Sequence, residues 1–205
     1  MKRILLALVL SGVAMRAANA GGEPGTQVTV YLDDQVNIPI GVMGRATMEA
    51  SRTFANIGVP VQWTRRKLNP ADSVKETGCR MSNKLSIALT LIPYAPAKAP
   101  PGARAVANTR TGEITVFYDR IRESSVNWPR LVPMLLANVM AHEVTHVLQG
   151  VGQHADHGIM NANWTVRDFH AMEDRSLQFT PMDIRIIHLG FASRSCPAAT
   201  VGDGQ

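Results

Sequence analysis

Residues 130–149 read RLVPMLLANVMAHEVTHVLQ, and this stretch decides the fold. Its apolar residues (Leu131, Val132, Met134, Leu135, Leu136, Val139, Met140, Val144, Val147, Leu148) fall on nearly every side of a helical repeat. A helix apolar all round belongs at the centre of a domain. Pro133 is tolerable because it lies in the first turn, and Gly150 and Gly152 stop the helix. His142, Glu143 and His146 sit inside this apolar segment, where burying them without a partner is costly.

His142-Glu143-Val144-Thr145-His146 has the form H-E-x-x-H. Four residues is just over one helical turn, so both imidazoles leave the same face. From there two nitrogens can take adjacent corners of a zinc tetrahedron, and zinc supplies the missing partner. Glu143 lies one position around the helix. Its carboxylate can reach a zinc-bound water, take its proton as water attacks a carbonyl, and pass that proton to the leaving amine. A catalytic zinc also needs a third protein ligand and an open fourth position. His154, Asp156 and His157 follow the helix. The chain can turn back after Gly150 to bring His154 to the metal; His157 and Asp156 are the alternatives. The expected cofactor is one catalytic Zn2+.

Outward from this helix, Val28–Tyr31 alternates as a strand ending at Asp33-Asp34. Met43, Thr47, Ala50, Phe54 and Ile57 mark one face of a helix over about 40–57, with Gly58 as a left-handed cap. Val59–Trp63 reads as a second strand. Asn69–Asn83 reads as loop, and Leu85, Ile87, Leu89 and Leu91 as a third strand. Four prolines make Pro93–Gly102 an exposed connection. Ala103–Asn108 and Glu113–Tyr118 are the arms of a hairpin around Thr109-Arg110-Thr111-Gly112. An irregular segment follows the central helix. Thr180-Pro181-Met182-Asp183 then opens a final helix running to Gly190. The expected class is α+β: a mixed, twisted sheet of about five strands, a central helix, a second helix on the sheet and a C-terminal helix.

The ends of the chain carry separate signals. Lys2-Arg3, the apolar run Ile4–Val9 and Ala18-Asn19-Ala20 form the three-part pattern of a secretory signal over residues 1–20. The run is too short and interrupted to span a bilayer, so no membrane association is expected after its removal. A single domain then occupies 21–205, with a short mobile tail after Cys196. Loss of Lys2, Arg3 and Arg16 lowers 21 basic residues to 18 against 16 acidic ones, a net charge of only +2. That balance, with no dense basic cluster, excludes nucleic-acid binding. A secreted or periplasmic chain meets an oxidising compartment, so Cys79 and Cys196 are expected to pair in a disulfide.

Residues 142–160 resemble the active-site segment of the metzincin clan of zinc peptidases, with matrix-metalloproteinase-like catalytic domains the nearest in layout. The clan's pattern is H-E-x-x-H-x-x-G-x-x-H followed by a methionine in a tight turn. His142, Glu143 and His146 match. Gly158-Ile159-Met160 resembles the Met-turn, with Met160 as its methionine. Gln149 stands where the clan has glycine, and Gly152 where it has the third histidine. His154 comes two residues later, which implies a longer third-ligand loop. The resemblance implies a zincin-like fold and a secreted metalloendopeptidase acting on a peptide or protein, taken as a monomer. It also implies that the edge strand Ala103–Asn108 (Ala105, Val106, Ala107, Asn108) holds extended substrate by backbone pairing, and that Trp164 walls a specificity pocket. Two other readings stay open. In a gluzincin-type peptidase Glu173 is the third ligand, which requires Ala162–Ser176 to be helical and near the metal. In a zinc-containing secreted binding protein Glu143 has no catalytic task.

Overall fold

The computed structural model describes residues 27–68 and 84–194. Residues 1–20, the loop expected at 69–83, Cys79, Cys196 and the tail lie outside the described residues. The first described element is β1 (Gln27–Asp34), followed by α1 (Ile40–Ala55), β2 (Val61–Arg65), β3 (Lys84–Ile92), β4 (Ala105–Asn108) and β5 (Glu113–Phe117). Then come α2 (Tyr118–Ser124), a 3-10 turn at Pro129–Leu131, α3 (Val132–Gln149), α4 (Val166–Asp174) and α5 (Pro181–Arg194). The five strands form one sheet in the order β2-β1-β3-β5-β4. Neighbours are parallel except β4, which runs antiparallel to β5 at the edge. The expected α+β class, a mixed five-stranded sheet with several helices, is the architecture observed.

The alternating pattern of the strands sets which face is covered. Val28, Val30 and Leu32 of β1 and Ile87, Leu89 and Leu91 of β3 are buried in one core with Met43, Ala50 and Phe54 of α1 and the apolar residues of α3. Residues two apart share a face of a strand, so one row of strand residues meets the helices. The alternate positions Thr29 and Tyr31 are half-buried. Helix α3 is buried from Met134 to Gln149. With its preceding turn it is long and apolar enough to cross a membrane, but 89% of that stretch is buried inside the protein. Its apolarity is that of a central core helix. Pro133 lies in its first turn, and Gly150, at φ 73°, ends it in the left-handed conformation that glycine adopts without steric cost.

Several sequence expectations need correction: the second strand runs Val61–Arg65 rather than Val59–Trp63, and the first hairpin arm begins at Ala105 rather than Ala103. Helix α1 stops at Ala55 rather than near 57, although Gly58 takes the expected left-handed turn at φ 75°. The second arm of the hairpin ends at Phe117, because Tyr118 opens α2 directly and Asp119 accepts the Ala95 amide at 3.1 Å. The irregular segment after α3 contains α4, opened by a reciprocal capping box between Thr165 and Asp168. Helix α5 runs through Gly190 to Arg194. Gly190 is a point of close approach: a Cβ there would lie 2.1 Å from the Leu148 carbonyl oxygen of α3.

This packing separates two glycines that helix propensity alone would treat alike. Gly190→Ala forces α5 away from α3 and is expected to destabilise the protein by about 1–3 kcal/mol. Gly44→Ala, in α1 with nothing within 4 Å of the new methyl, is expected to stabilise by up to about 1 kcal/mol. Urea denaturation of the two variants reads both signs.

Candidate metal centre

Helix α3 carries His142 and His146 on one face, both largely buried, at 8% and 7% exposure. Their rings meet edge-on with centroids 4.7 Å apart. A backbone carbonyl fixes the tautomer of each. His142 Nδ1 lies 2.7 Å from the Ile159 oxygen, and His146 Nδ1 lies 3.2 Å from the Val151 oxygen. A carbonyl only accepts, so each Nδ1 carries the proton and donates it. Each Nε2 is then left with its lone pair, and the two Nε2 atoms stand 3.0 Å apart. Two acceptors facing at that distance repel unless a cation lies between them. A proton is disfavoured there. Burial, opposed by the Ile159 hydrogen bond and aided by the neighbouring imidazoles, brings His142 from 6.5 down to about 3. Burial likewise lowers His146, with His154 contributing.

The third histidine arrives through the reversal at Gly150. His154 is exposed, with its ring 5.2 Å from that of His142 and 4.9 Å from that of His146. One ligand nitrogen from each of His142, His146 and His154 falls within 4.8 Å of the others, a group able to hold a metal ion. The loop is tied down at its far end, where the Ala155 amide donates to the Met160 carbonyl at 2.8 Å. Gly158 turns at φ 78° and the Asn161 amide closes the turn on its carbonyl at 3.2 Å. Met160, fully buried, therefore sits in a tight turn whose Ile159 carbonyl also orients His142. Three imidazoles with carbonyl-fixed tautomers on the two buried ones suit zinc.

The other expected residues divide clearly. Asp156 and His157 are exposed and lie outside the three-histidine group. Ala162–Ser176 is helical over Val166–Asp174, but Glu173 is directed to His170 at 3.7 Å and is not brought to the histidines. Ala105, Val106 and Ala107 line a cleft of about 640 Å³ together with the three histidines and Glu143. Asn108 does not line it; its side chain accepts the amides of Arg110 and Thr111 and shapes the hairpin turn. Trp164 also lines the cleft, edge-on to His142 at 5.8 Å, with its indole N–H donated to the Gly158 carbonyl at 3.1 Å. Sequence reasoning missed the two orienting carbonyls, whose positions depend on loop conformation. It also missed Arg104, which lies in the cleft wall one residue before β4.

No protein-family model matches this chain, and no curated protein matches it. A solved structure does. The crystal structure of a zinc-dependent peptidase from Methanocorpusculum labreanum (strain Z) superposes with a TM-score of 0.50 at 16% identity. The match covers 78% of this chain and 99% of that one. The fold is therefore one that a zinc-dependent peptidase also adopts.

Glu143 is 8% exposed at the cleft. Among the described residues no hydrogen-bond donor holds its carboxylate. Burial raises its pKa from 4.5 to about 7. In the metal-free protein the folded state therefore keeps this proton over a pH range where the unfolded chain has lost it. Stability falls as pH rises through that range, and the penalty is complete above the folded-state value. Metal-free Glu143→Gln is expected to exceed the parent by roughly 2–3 kcal/mol at pH 8 and by nothing at pH 4. Urea denaturation at both pH values checks this; a pH-independent difference contradicts it.

Proposed function

We propose that this chain is a secreted zinc metalloendopeptidase of the metzincin type, with His142, His146 and His154 as the ligands of one zinc ion and Glu143 as the catalytic base. The convergence of the three histidines beside a buried, unpaired carboxylate, at the wall of an open cleft, carries this reading. The tight turn at Gly158–Met160 beneath His142 supports the clan assignment, with His154 reached through a loop longer than the clan's own pattern. Zinc, when bound, supplies Lewis acidity toward a carbonyl oxygen and lowers the pKa of water.

The chain's own residues do the rest. The Ile159 and Val151 carbonyls hold His142 and His146 in the ligating tautomer. Glu143 accepts a proton from water in the cleft and returns it to the leaving amine. Among the described strands β4 is the edge, unpaired on the side away from β5, and an extended peptide laid along it at Ala105–Ala107 would be held by backbone hydrogen bonds. Trp164 would wall a side-chain pocket. The signal over 1–20 directs the protein to the periplasm or beyond the cell, where Cys79 and Cys196 would pair. The gluzincin alternative has no observation in its favour, since Glu173 faces His170.

Three variants test the assignment, using zinc content and hydrolysis of a quenched-fluorescent peptide library. Glu143→Gln is expected to keep its zinc and lose about 10²–10⁴-fold in activity. His154→Ala is expected to lose at least about 100-fold in zinc affinity, and His157→Ala to keep it. Activity surviving in Glu143→Gln would remove the base. A fully folded, zinc-loaded parent that cleaves nothing in the library would leave the binding-protein reading in its place.

A further inference from the structure

Arg104 enters the cleft wall immediately before β4. It is half-buried, and its guanidinium carbon lies over two rings, 5.8 Å from the Trp164 centroid and 5.6 Å from the Phe169 centroid. Its Nε donates to Ser124 Oγ at 2.8 Å. A guanidinium has five N–H donors. The four on its terminal nitrogens meet no acceptor among the described residues, and no described carboxylate lies within ion-pair distance. Burial lowers its pKa from 12.5, which records lost hydration. The aromatic faces offset part of that loss but accept no hydrogen bond from the terminal nitrogens. Ring to ring, the path is short: His142 to Trp164 is 5.8 Å and Trp164 to the guanidinium is 5.8 Å. The cation therefore stands no more than about 12 Å from the histidine ring, within reach of a peptide that spans about 3.3 Å per residue. Among the described residues, Glu143 is the one acidic residue lining the same cleft.

We propose that Arg104 is a specificity residue that receives a carboxylate of the substrate, so that the cleft selects peptides bearing a negative charge within a few residues of the scissile bond. This rests on the peptidase reading for the word substrate, but the binding itself does not. The carboxylate has two sources, an Asp or Glu side chain or the peptide's C-terminus. In either case the planar fork pairs with the two carboxylate oxygens in a geometry that lysine cannot reproduce. A neutral peptide in the same place would offer the terminal N–H groups no charged acceptor.

The test pairs tetra-alanine peptides carrying Glu or Gln at each position in turn, each made with a free and an amidated C-terminus. Binding to zinc-loaded Glu143→Gln protein is followed at the Arg104 Nε–H resonance by NMR. The expected result is a shift of that resonance and about tenfold tighter binding for the carboxylate member. Dependence on Glu identifies an acidic side chain, and dependence on the free C-terminus identifies the terminal carboxylate. In Arg104→Met the ratio between charged and neutral peptides falls to about one, and in Arg104→Lys it is intermediate. Circular dichroism and zinc content confirm that both variants are folded. Equal binding of charged and neutral peptides, with no movement of the Arg104 resonance, overturns the proposal. Carboxylate binding at Arg104 in a protein whose parent cleaves no peptide would uphold Arg104 and sink the peptidase reading.

Discussion

The two Nδ1–H···O=C hydrogen bonds to Ile159 and Val151 are the constraint on which the site depends. They turn both buried imidazoles so that the Nε2 lone pairs meet at 3.0 Å. Without a cation that arrangement costs free energy in a low-dielectric interior. The surrounding structure must hold it in place. Helix α3 does so by being packed on all sides, and the turn at Gly158 does so by placing one carbonyl within reach. That turn is itself held from behind, where the Ile159 amide donates to the Gln178 carbonyl at 3.0 Å. A Cβ on Gly158 would come within 2.3 Å of that same Gln178 oxygen. The approach of the 176–180 segment to the turn thus requires glycine.

Much of this was legible in the chain. The helix around His142 declares itself by its apolarity, and Gly150 by its position after the last apolar residue. The strands of the core read correctly because one face of each is buried and the alternation survives. That His154 comes back to the two helix histidines was readable from residue type and from the reversal that glycine permits. Spacing and residue type favour it over His157 and Asp156 without deciding between them, because three residues of loop can point anywhere until their backbone is fixed. The bond from the Ala155 amide to Met160 fixes it, and nothing in the local sequence announces a bond across five residues of loop.

The misses have physical causes too. Helix α4 falls in the segment expected to be irregular because Asn163-Trp164-Thr165-Val166 is unfavourable as a helix opening by propensity. Thr165 is the cap rather than part of the helix, and Asp168 three residues on completes a capping box. Helix α2 follows β5 with no intervening turn, so the strand's pattern ran on by one residue. Gly190 looked like a stop because glycine commonly ends helices; here it admits a neighbouring backbone instead. Arg104 was passed over because a lone arginine beside a proline-rich connection resembles a solvated one. Its side chain ties the start of β4 to Ser124 of α2 and to the Trp164–Phe169 stretch.

If three imidazoles share one metal, X-ray absorption at the zinc K-edge of the untagged, zinc-loaded protein shows one tightly held zinc per chain with three imidazole nitrogens at about 2.0 Å, one further light atom and no sulfur. A folded protein that retains no zinc after dialysis against a weak chelator, or a zinc whose shell lacks three imidazoles, would contradict the three-imidazole site.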